Sequence, residues 1–339
     1  MRRLIYLLVF LAVLAGGVMG ALYWEDMNFS ATGPSQAETT VLVKPGSSTQ
    51  AIARSLEGAH VIDNALLFRL GVMRRGTQAA LKAGEYVFAP GISMSAAMQQ
   101  MIRHDVVTHR ITVAEGLSTS AVLAIIKAAP ILEGDVGEAK EGTLLPETYT
   151  FERGTTRKEI LERMRKAQTA LIAELWAKRK EGLPISTPEE AVNLASIVEK
   201  ETGVAEERPH IASVFVNRLK KGMKLESDPT IIYGLTKGEP LGHPLRQSEL
   251  AAPNPYSTYQ IEGLPPTPIC NPGRDAIAAV LNPLETDDLF FVATGNGGSV
   301  FAATLAEHQK NVAALRHVEQ SREAAPAPRT AVPEIRRLR

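Results

Sequence analysis

The chain has 339 residues, 37 Lys and Arg against 37 Asp and Glu, and 45% apolar residues. That length supports more than one domain with a sizeable core, while the zero formal charge argues against a nucleic-acid-binding protein, which carries a basic excess or face. One cysteine, Cys270, forbids an internal disulfide, and the seven histidines form no His-x-x-x-His pair, so neither metal nor cofactor is expected.

Residues 4–24 are all apolar or small, about the ~20 residues that a helix needs to cross a bilayer. Arg2 and Arg3 precede the run, Glu25 and Asp26 follow it, and Tyr23 and Trp24 mark its far boundary. The positive-inside rule then predicts a cytoplasmic N-terminus with everything after Trp24 outside, which in a bacterium is the periplasm or its equivalent. The run exceeds the ~7–15-residue core of a signal peptide, so a retained anchor over residues 1–24 is favoured. A cleaved signal peptide, with small residues at 16–21, is the alternative. Residues 25–38, with Gly33, Pro34 and Ser35, read as a tether.

From Thr39 one pattern recurs. Val41-Leu-Val-Lys-Pro-Gly46-Ser-Ser48, Tyr86-Val-Phe-Ala-Pro-Gly91-Ile-Ser93 and Ile111-Thr-Val-Ala-Glu-Gly116-Leu-Ser118 each precede an apolar helical segment. Each predicts a short strand, a glycine turn, a serine N-cap and a helix. The unequal spacing excludes a solenoid. The first unit with the return strand around Tyr86 resembles a LysM-like domain over residues 39–106, a strand–helix–helix–strand fold that grips glycan chains; a structural spacer is the alternative.

Beyond Glu141 a turn-rich segment leads into an amphipathic helix over residues 156–180, with Ile160, Leu161, Met164, Ala167, Leu171 and Leu175 on one face. Thr187-Pro188-Glu189-Glu190 predicts a capping box opening the next helix. Residues 289–294 and 300–304 flank Gly295-Asn-Gly-Gly298 and predict a hairpin rather than a phosphate loop, since no Gly-Lys-Ser/Thr follows. Residues 320–339, rich in Ala, Pro and Arg, read as a disordered tail. The fold class expected is α+β: an N-terminal transmembrane helix, a small LysM-like subdomain and a mixed α+β domain over residues 107–319.

On the helix after Thr187, steps of ~100° per residue put Ala191, Leu194, Ala195 and Val198 on the apolar face. Glu199 falls on one flank of that face and Glu201 on the other, with Lys200 towards solvent. A half-buried Glu199 with no fixed cation beside it would have a raised pKa and be a candidate general acid. Periodicity does not choose between the two glutamates. Downstream, Asn217 and Arg218 end an apolar segment, and Arg218 could fork onto an anionic or hydroxyl-rich ligand. In Ser227-Asp228-Pro229-Thr230 the proline predicts an extended Asp228 presented from a loop, with Tyr233 just after. A stiff proline-rich loop then carries Tyr256, Thr258 and Tyr259, the kind of surface that binds extended polar polymers.

The segments Glu141-Gly-Thr-Leu-Leu-Pro-Glu147-Thr-Tyr149, Ala195-Ser-Ile-Val-Glu-Lys-Glu201, Gly222-Met-Lys-Leu-Glu-Ser-Asp-Pro-Thr-Ile-Ile-Tyr-Gly234, Tyr256-Ser-Thr-Tyr259 and Gly263-Leu-Pro-Pro-Thr-Pro-Ile-Cys-Asn-Pro-Gly273 resemble, in order, the motifs of the YceG-like (MltG) family of endolytic murein transglycosylases. The resemblance runs from about Thr39 to Glu319 and includes the anchor. It implies an inner-membrane enzyme that cleaves nascent peptidoglycan glycan strands, with those strands, the membrane and peptidoglycan synthases as partners. The family's catalytic glutamate falls on Glu199, which leaves Glu201 a supporting role. Glu147, Asn217, Arg218, Ser227, Asp228, Thr230, Tyr233, Tyr256, Thr258 and Tyr259 are the substrate-contact candidates. Three positions depart from the family pattern: Ser257 stands where an asparagine is usual, Glu147 where the acid is usually aspartate, and Cys270 where a small residue is common. Such an enzyme manages with one carboxylate, because the C6 hydroxyl of the substrate itself is the nucleophile. The rivals are a water-using muramidase, with Asp228 or Glu201 as second carboxylate, and a non-catalytic glycan-binding membrane protein.

Overall fold

A computed structural model describes residues 2–295 and 297–324. The chain divides into two units. One comprises Met1–Ile111, Pro130–Glu133 and Tyr149–Thr156; the other comprises Thr112–Ala129, Gly134–Thr148 and Arg157–Arg339.

The first unit begins with α1 (Arg2–Ser30), 29 residues long and apolar enough to cross a bilayer. The helix continues past Trp24, so the first six residues of the expected tether are helical. Tertiary contacts hold that last stretch. Phe29 is fully buried, stacks on Phe68 at 6.0 Å and lies under the Arg75 guanidinium, while Glu25 pairs with Arg74 and Arg75.

Next come β1 (Thr39–Val43), α2 (Thr49–Gly58), α3 (Ala65–Arg74), β2 (Gly84–Phe88) and α4 (Met94–Arg103). The two strands pair antiparallel, Thr39 opposite Phe88 and Val43 opposite Gly84. Val41, Val43, Tyr86 and Phe88 point inward onto Ile52, Leu56, Phe68 and Met98, the period-two alternation of a half-buried strand pair.

The chain passes between units within β3 (His109–Thr112), which follows α4 and pairs with a strand beyond α5 (Thr119–Ala128), β4 (Thr148–Phe151). All three serines of the recurring turn act as caps. Ser48, Ser93 and Ser118 accept hydrogen bonds from the amides of Ala51, Ala96 and Ala121 at 3.1–3.3 Å. Each such cap contributes about 1 kcal/mol. Two residues before each cap the turn needs a left-handed residue: Gly116 has φ +75°, matched by Gly46 and Gly91.

The second unit continues with α6 (Arg157–Ala177), α7 (Pro188–Glu201), α8 (Arg208–Lys220), α9 (Asp228–Thr236), α10 (Gln247–Ala251), α11 (Arg274–Leu281), β5 (Phe290–Ala293), β6 (Ser299–Ala302) and α12 (Leu305–Ala324). Strands β5 and β6 form the expected antiparallel hairpin, Phe290 opposite Ala302; Asn296 at its turn lies outside the described residues. Helix α12 carries the chain to Ala324, into the segment read as tail; residues 325–339 lie outside the described residues.

Helix α7 is the centre of this unit. Its capping box forms as expected, with Glu190 N–H donating to Thr187 Oγ1 at 3.1 Å and Thr187 N–H donating to the Glu190 carboxylate at 3.3 Å. Every residue from 191 to 198 is buried, so the helix is enclosed rather than one-sided. Leu194, Ala195, Ile197 and Val198 pack with Ile211, Phe215, Ile277 and Val280 in one core, each large apolar side chain stabilising by about 1.5–3 kcal/mol. The polar positions inside this jacket tie down the proline loop. Asn193 donates to Pro265 O, and the Ser196 hydroxyl accepts from Ile269 N–H.

Candidate active site

At its C-terminal turn α7 leaves the core, and there Glu199 and Glu201 emerge on different flanks. Glu199 is enclosed, its side chain 5% exposed. One carboxylate oxygen lies 3.3 Å from Arg208 Nη2, at the start of α8, and the other accepts from Gly273 N–H at 2.9 Å, one residue before α11. The isolation from cations expected from the sequence is therefore absent: a guanidinium and a backbone amide both hold this carboxylate.

A second carboxylate shares that guanidinium. Glu115 Oε2 lies 3.5 Å from the same Arg208 Nη2. Burial, and then the charge of Glu199, hold the Glu115 carboxyl above its usual range, while Arg208 pulls it down. Neither Glu115 nor Arg208 was among the residues expected from the sequence. The signal for Glu115 lies in the recurring turn, where Pro45-Gly46 and Pro90-Gly91 become Glu115-Gly116 in the third copy. For Arg208 it is a cation in the first turn of a helix, where the dipole favours an anion.

Glu201 sits among different neighbours. The Ser227 hydroxyl donates a short hydrogen bond to it. Burial pushes its carboxyl up from the ordinary 4.5 to about 7, against the Ser227 hydrogen bond, with the charge of Asp228 adding to the rise and Arg218 opposing it. Asp228 in turn accepts from the Tyr259 hydroxyl at 2.8 Å. Contrary to the extended loop expected from Pro229, Asp228 opens α9. Proline fits a helix's first turn, where its missing N–H has no partner to lose, and the extended residue is Ser227.

Several substrate-contact candidates are committed inside the fold. Arg218 donates to the carbonyls of Leu289, Lys224 and Leu225 and pairs with Glu226, so it ties the end of α8 to its surroundings instead of presenting a free fork. Asn217 donates to Thr286 O and Asp288 O. Thr230 and Thr258 are fully buried and bond to each other and to the backbone of Ser227, itself buried. These four residues and Ser227 are tied by their hydrogen bonds to neighbouring loops, while Asn217 stays half-buried and lines a shallow cavity with Ser213 and Lys220. Glu147 is exposed beside β4, its carbonyl accepting from Val113 N–H. Ser257 is fully buried with an unpartnered hydroxyl, and Cys270 packs its thiol on Ser196 O.

Tyr233 and Tyr256 line a cleft of about 1190 Å³ with Glu141, Gln168, Thr267 and Pro268. Their rings meet edge-on at 5.0 Å, and Lys237 Nζ lies 4.3 Å from the Tyr256 ring centroid. The Tyr233 hydroxyl donates to Glu141 at 3.0 Å, and Glu141 also accepts from Thr119 N–H and from its hydroxyl. Glu199 does not line this cleft. Two short loops link it to the cleft wall: Gly116 N–H donates to Asn271 O, Asn271 N–H donates to Leu117 O, and the Asn271 amide reaches Glu141.

What the second unit defines is an α+β scaffold carrying paired carboxylates on one guanidinium, next to a tyrosine-lined cleft. The chain belongs to the YceG-like family, whose model matches residues 41–314. Similar proteins include the endolytic murein transglycosylase of Bacillus subtilis, 30% identical over 322 residues that span 85% of this chain and 88% of the relative. That of Streptococcus pneumoniae is 29% identical over 356 residues, 90% of this chain and 64% of the relative. Among solved structures, a YceG-like protein of Listeria monocytogenes aligns with TM-score 0.51 at 30% identity, covering 81% of this chain and 99% of that one.

Proposed function

We propose that this chain is a membrane-anchored endolytic murein transglycosylase, a carbon–oxygen lyase that cuts peptidoglycan glycan strands between MurNAc and GlcNAc and leaves 1,6-anhydroMurNAc ends. The observation that carries this reading is similarity over nearly the whole chain to relatives bearing that name. The acid is Glu199. Protonated, it donates to the glycosidic oxygen as the C1–O bond breaks; its carboxylate then takes the proton of the MurNAc C6 hydroxyl as O6 bonds to C1, which regenerates the acid. Arg208 and Gly273 N–H are placed to hold the carboxylate formed between the two steps. Attack from within the same sugar brings the proximity advantage of an intramolecular reaction.

The wider assignments belong to the same reading. Residues 1–24 anchor the chain in the inner membrane as a single pass with a cytoplasmic N-terminus, and the remainder is periplasmic. Residues 39–106 form a LysM-like subdomain, supported by the β1–α2–α3–β2 order and its antiparallel strand pair. Residues 107–319 are the catalytic domain. Tyr233 and Tyr256, with their exposed cleft, and Asp228 with Tyr259 are the remaining glycan contacts, and peptidoglycan synthases are the protein partners.

Glu115 beside Glu199 also supplies the second carboxylate that a water-using muramidase needs. Mass spectrometry of digested strands separates the two readings: anhydro ends are expected, and ordinary reducing ends would replace the transglycosylase by a muramidase.

A further inference from the structure

Resting on the transglycosylase reading, we propose that Glu115 is a positioning residue, the alternate counter-ion of Arg208, which keeps the guanidinium paired while Glu199 carries its proton. Arg208 has one nitrogen, Nη2, within 3.3 Å of Glu199 and 3.5 Å of Glu115, and its side chain is only 10% exposed. A guanidinium so enclosed is strongly destabilised without an anion. If Glu199 were its sole partner, protonating the acid would strip Arg208 of its counter-charge. With Glu115 in reach, the pairing passes from one carboxylate to the other, and Arg208 has an anion both before and after proton donation.

The surroundings are built for this second carboxylate. Gly273 has φ −76° and ψ 173°, a backbone open to any residue, so glycine is not there for its conformational freedom. A Cβ at that position would fall 1.8 Å from Glu115 Oε1; the bare Cα admits the carboxylate while the same residue's N–H holds Glu199. The Glu115 turn is pinned by Gly116 N–H on Asn271 O and by Lys200 Nζ on Gly116 O. The other charged groups facing the pair are Asp275 on α11, whose charge adds to that of Glu199, and the Lys200 ammonium on α7 itself. Glu115 is 42% exposed, so protons exchange with solvent on its side of the pair.

The test is the pH–rate profile of strand cleavage by the full chain in detergent, for wild type, Glu115→Gln and Glu115→Asp, with products identified by mass spectrometry and a thermal melt of each. Removing the charge of Glu115 leaves Arg208 wholly to Glu199, so the acid form is lost at lower pH. For Glu115→Gln the basic limb moves to lower pH and kcat measured on that limb falls about tenfold, with KM unchanged and the melt lowered most at acid pH, where Glu199 is protonated and Arg208 has lost both anions; Glu115→Asp restores much of the limb. A Glu115→Gln profile identical to wild type would overturn the proposal, leaving Glu115 a packing residue. Complete loss of cleavage in both variants would overturn it in favour of a directly reacting carboxylate. Absence of cleavage by the wild type would instead remove the transglycosylase reading beneath it.

Discussion

Glu199 and Glu201 stand two residues apart in the last turn of α7, where the helix dipole disfavours both carboxylates equally, yet their surroundings differ in kind. Glu199 meets a guanidinium, a backbone N–H and a second carboxylate brought from three other segments. Glu201 meets one hydroxyl and the charge of Asp228, while the nearby Arg218 is spent largely on carbonyls. Helix position therefore nominates acids, and the tertiary partners decide what each can do. The Glu199 corner can stabilise a charge that comes and goes. The Glu201 corner, through burial, favours the protonated carboxyl up to about pH 7.

The largest expected effect comes from removing the cation that distinguishes the two. Arg208→Met leaves the enclosed Glu199 without its ion partner and should lower stability by about 3 kcal/mol at pH 7, with cleavage falling ~10²-fold or more. Chemical denaturation and strand digestion read these two effects. A variant with wild-type stability and rate would erase the distinction between the corners.

The next effect concerns Glu201 and has a definite sign. Its carboxyl titrates near 7 in the folded chain against an ordinary 4.5, so between those values the folded state keeps a proton that the unfolded chain has released. Stability contributed by this group is full at low pH and is lost as pH rises through that window, by about 3 kcal/mol above pH 7. Glu201→Gln should therefore raise the melting temperature at pH 8 and leave it unchanged at pH 4. A melting temperature lowered at pH 8 would show that Glu201 is held as a carboxylate instead.

Thr187→Ala supplies the smallest effect and a control. Loss of the capping box weakens α7 by about 1 kcal/mol without touching either corner, so melts should shift slightly at every pH and the rate profile should keep its shape.

The local features of this molecule were legible in its sequence because they depend on short-range rules. The apolar run of α1, the three serine caps, the capping box and the β5–β6 hairpin each depend on residues within a few positions. The end of α1 was not legible, because Phe29 is held by Phe68 of α3, 39 positions away, and Glu25 by Arg75, 50 positions away. Within the site, periodicity found Glu199 and Glu201, and the family motif chose between them. Arg218, Thr230 and Thr258 looked like ligand groups because residue type reveals donors and not whether the fold has already used them. Glu115 lies 84 positions from Glu199 in the chain, and only folding brings it onto Arg208.

The most direct measurement is side-by-side digestion of glycan strands by wild type, Glu199→Gln and Glu201→Gln, with products identified by mass spectrometry. Wild type and Glu201→Gln should release strands ending in 1,6-anhydroMurNAc at rates within about tenfold of each other, while Glu199→Gln should lose ~10³-fold or more. Anhydro products from Glu199→Gln at the wild-type rate, or their loss in Glu201→Gln alone, would move the acid to the other flank of the helix and contradict the assignment.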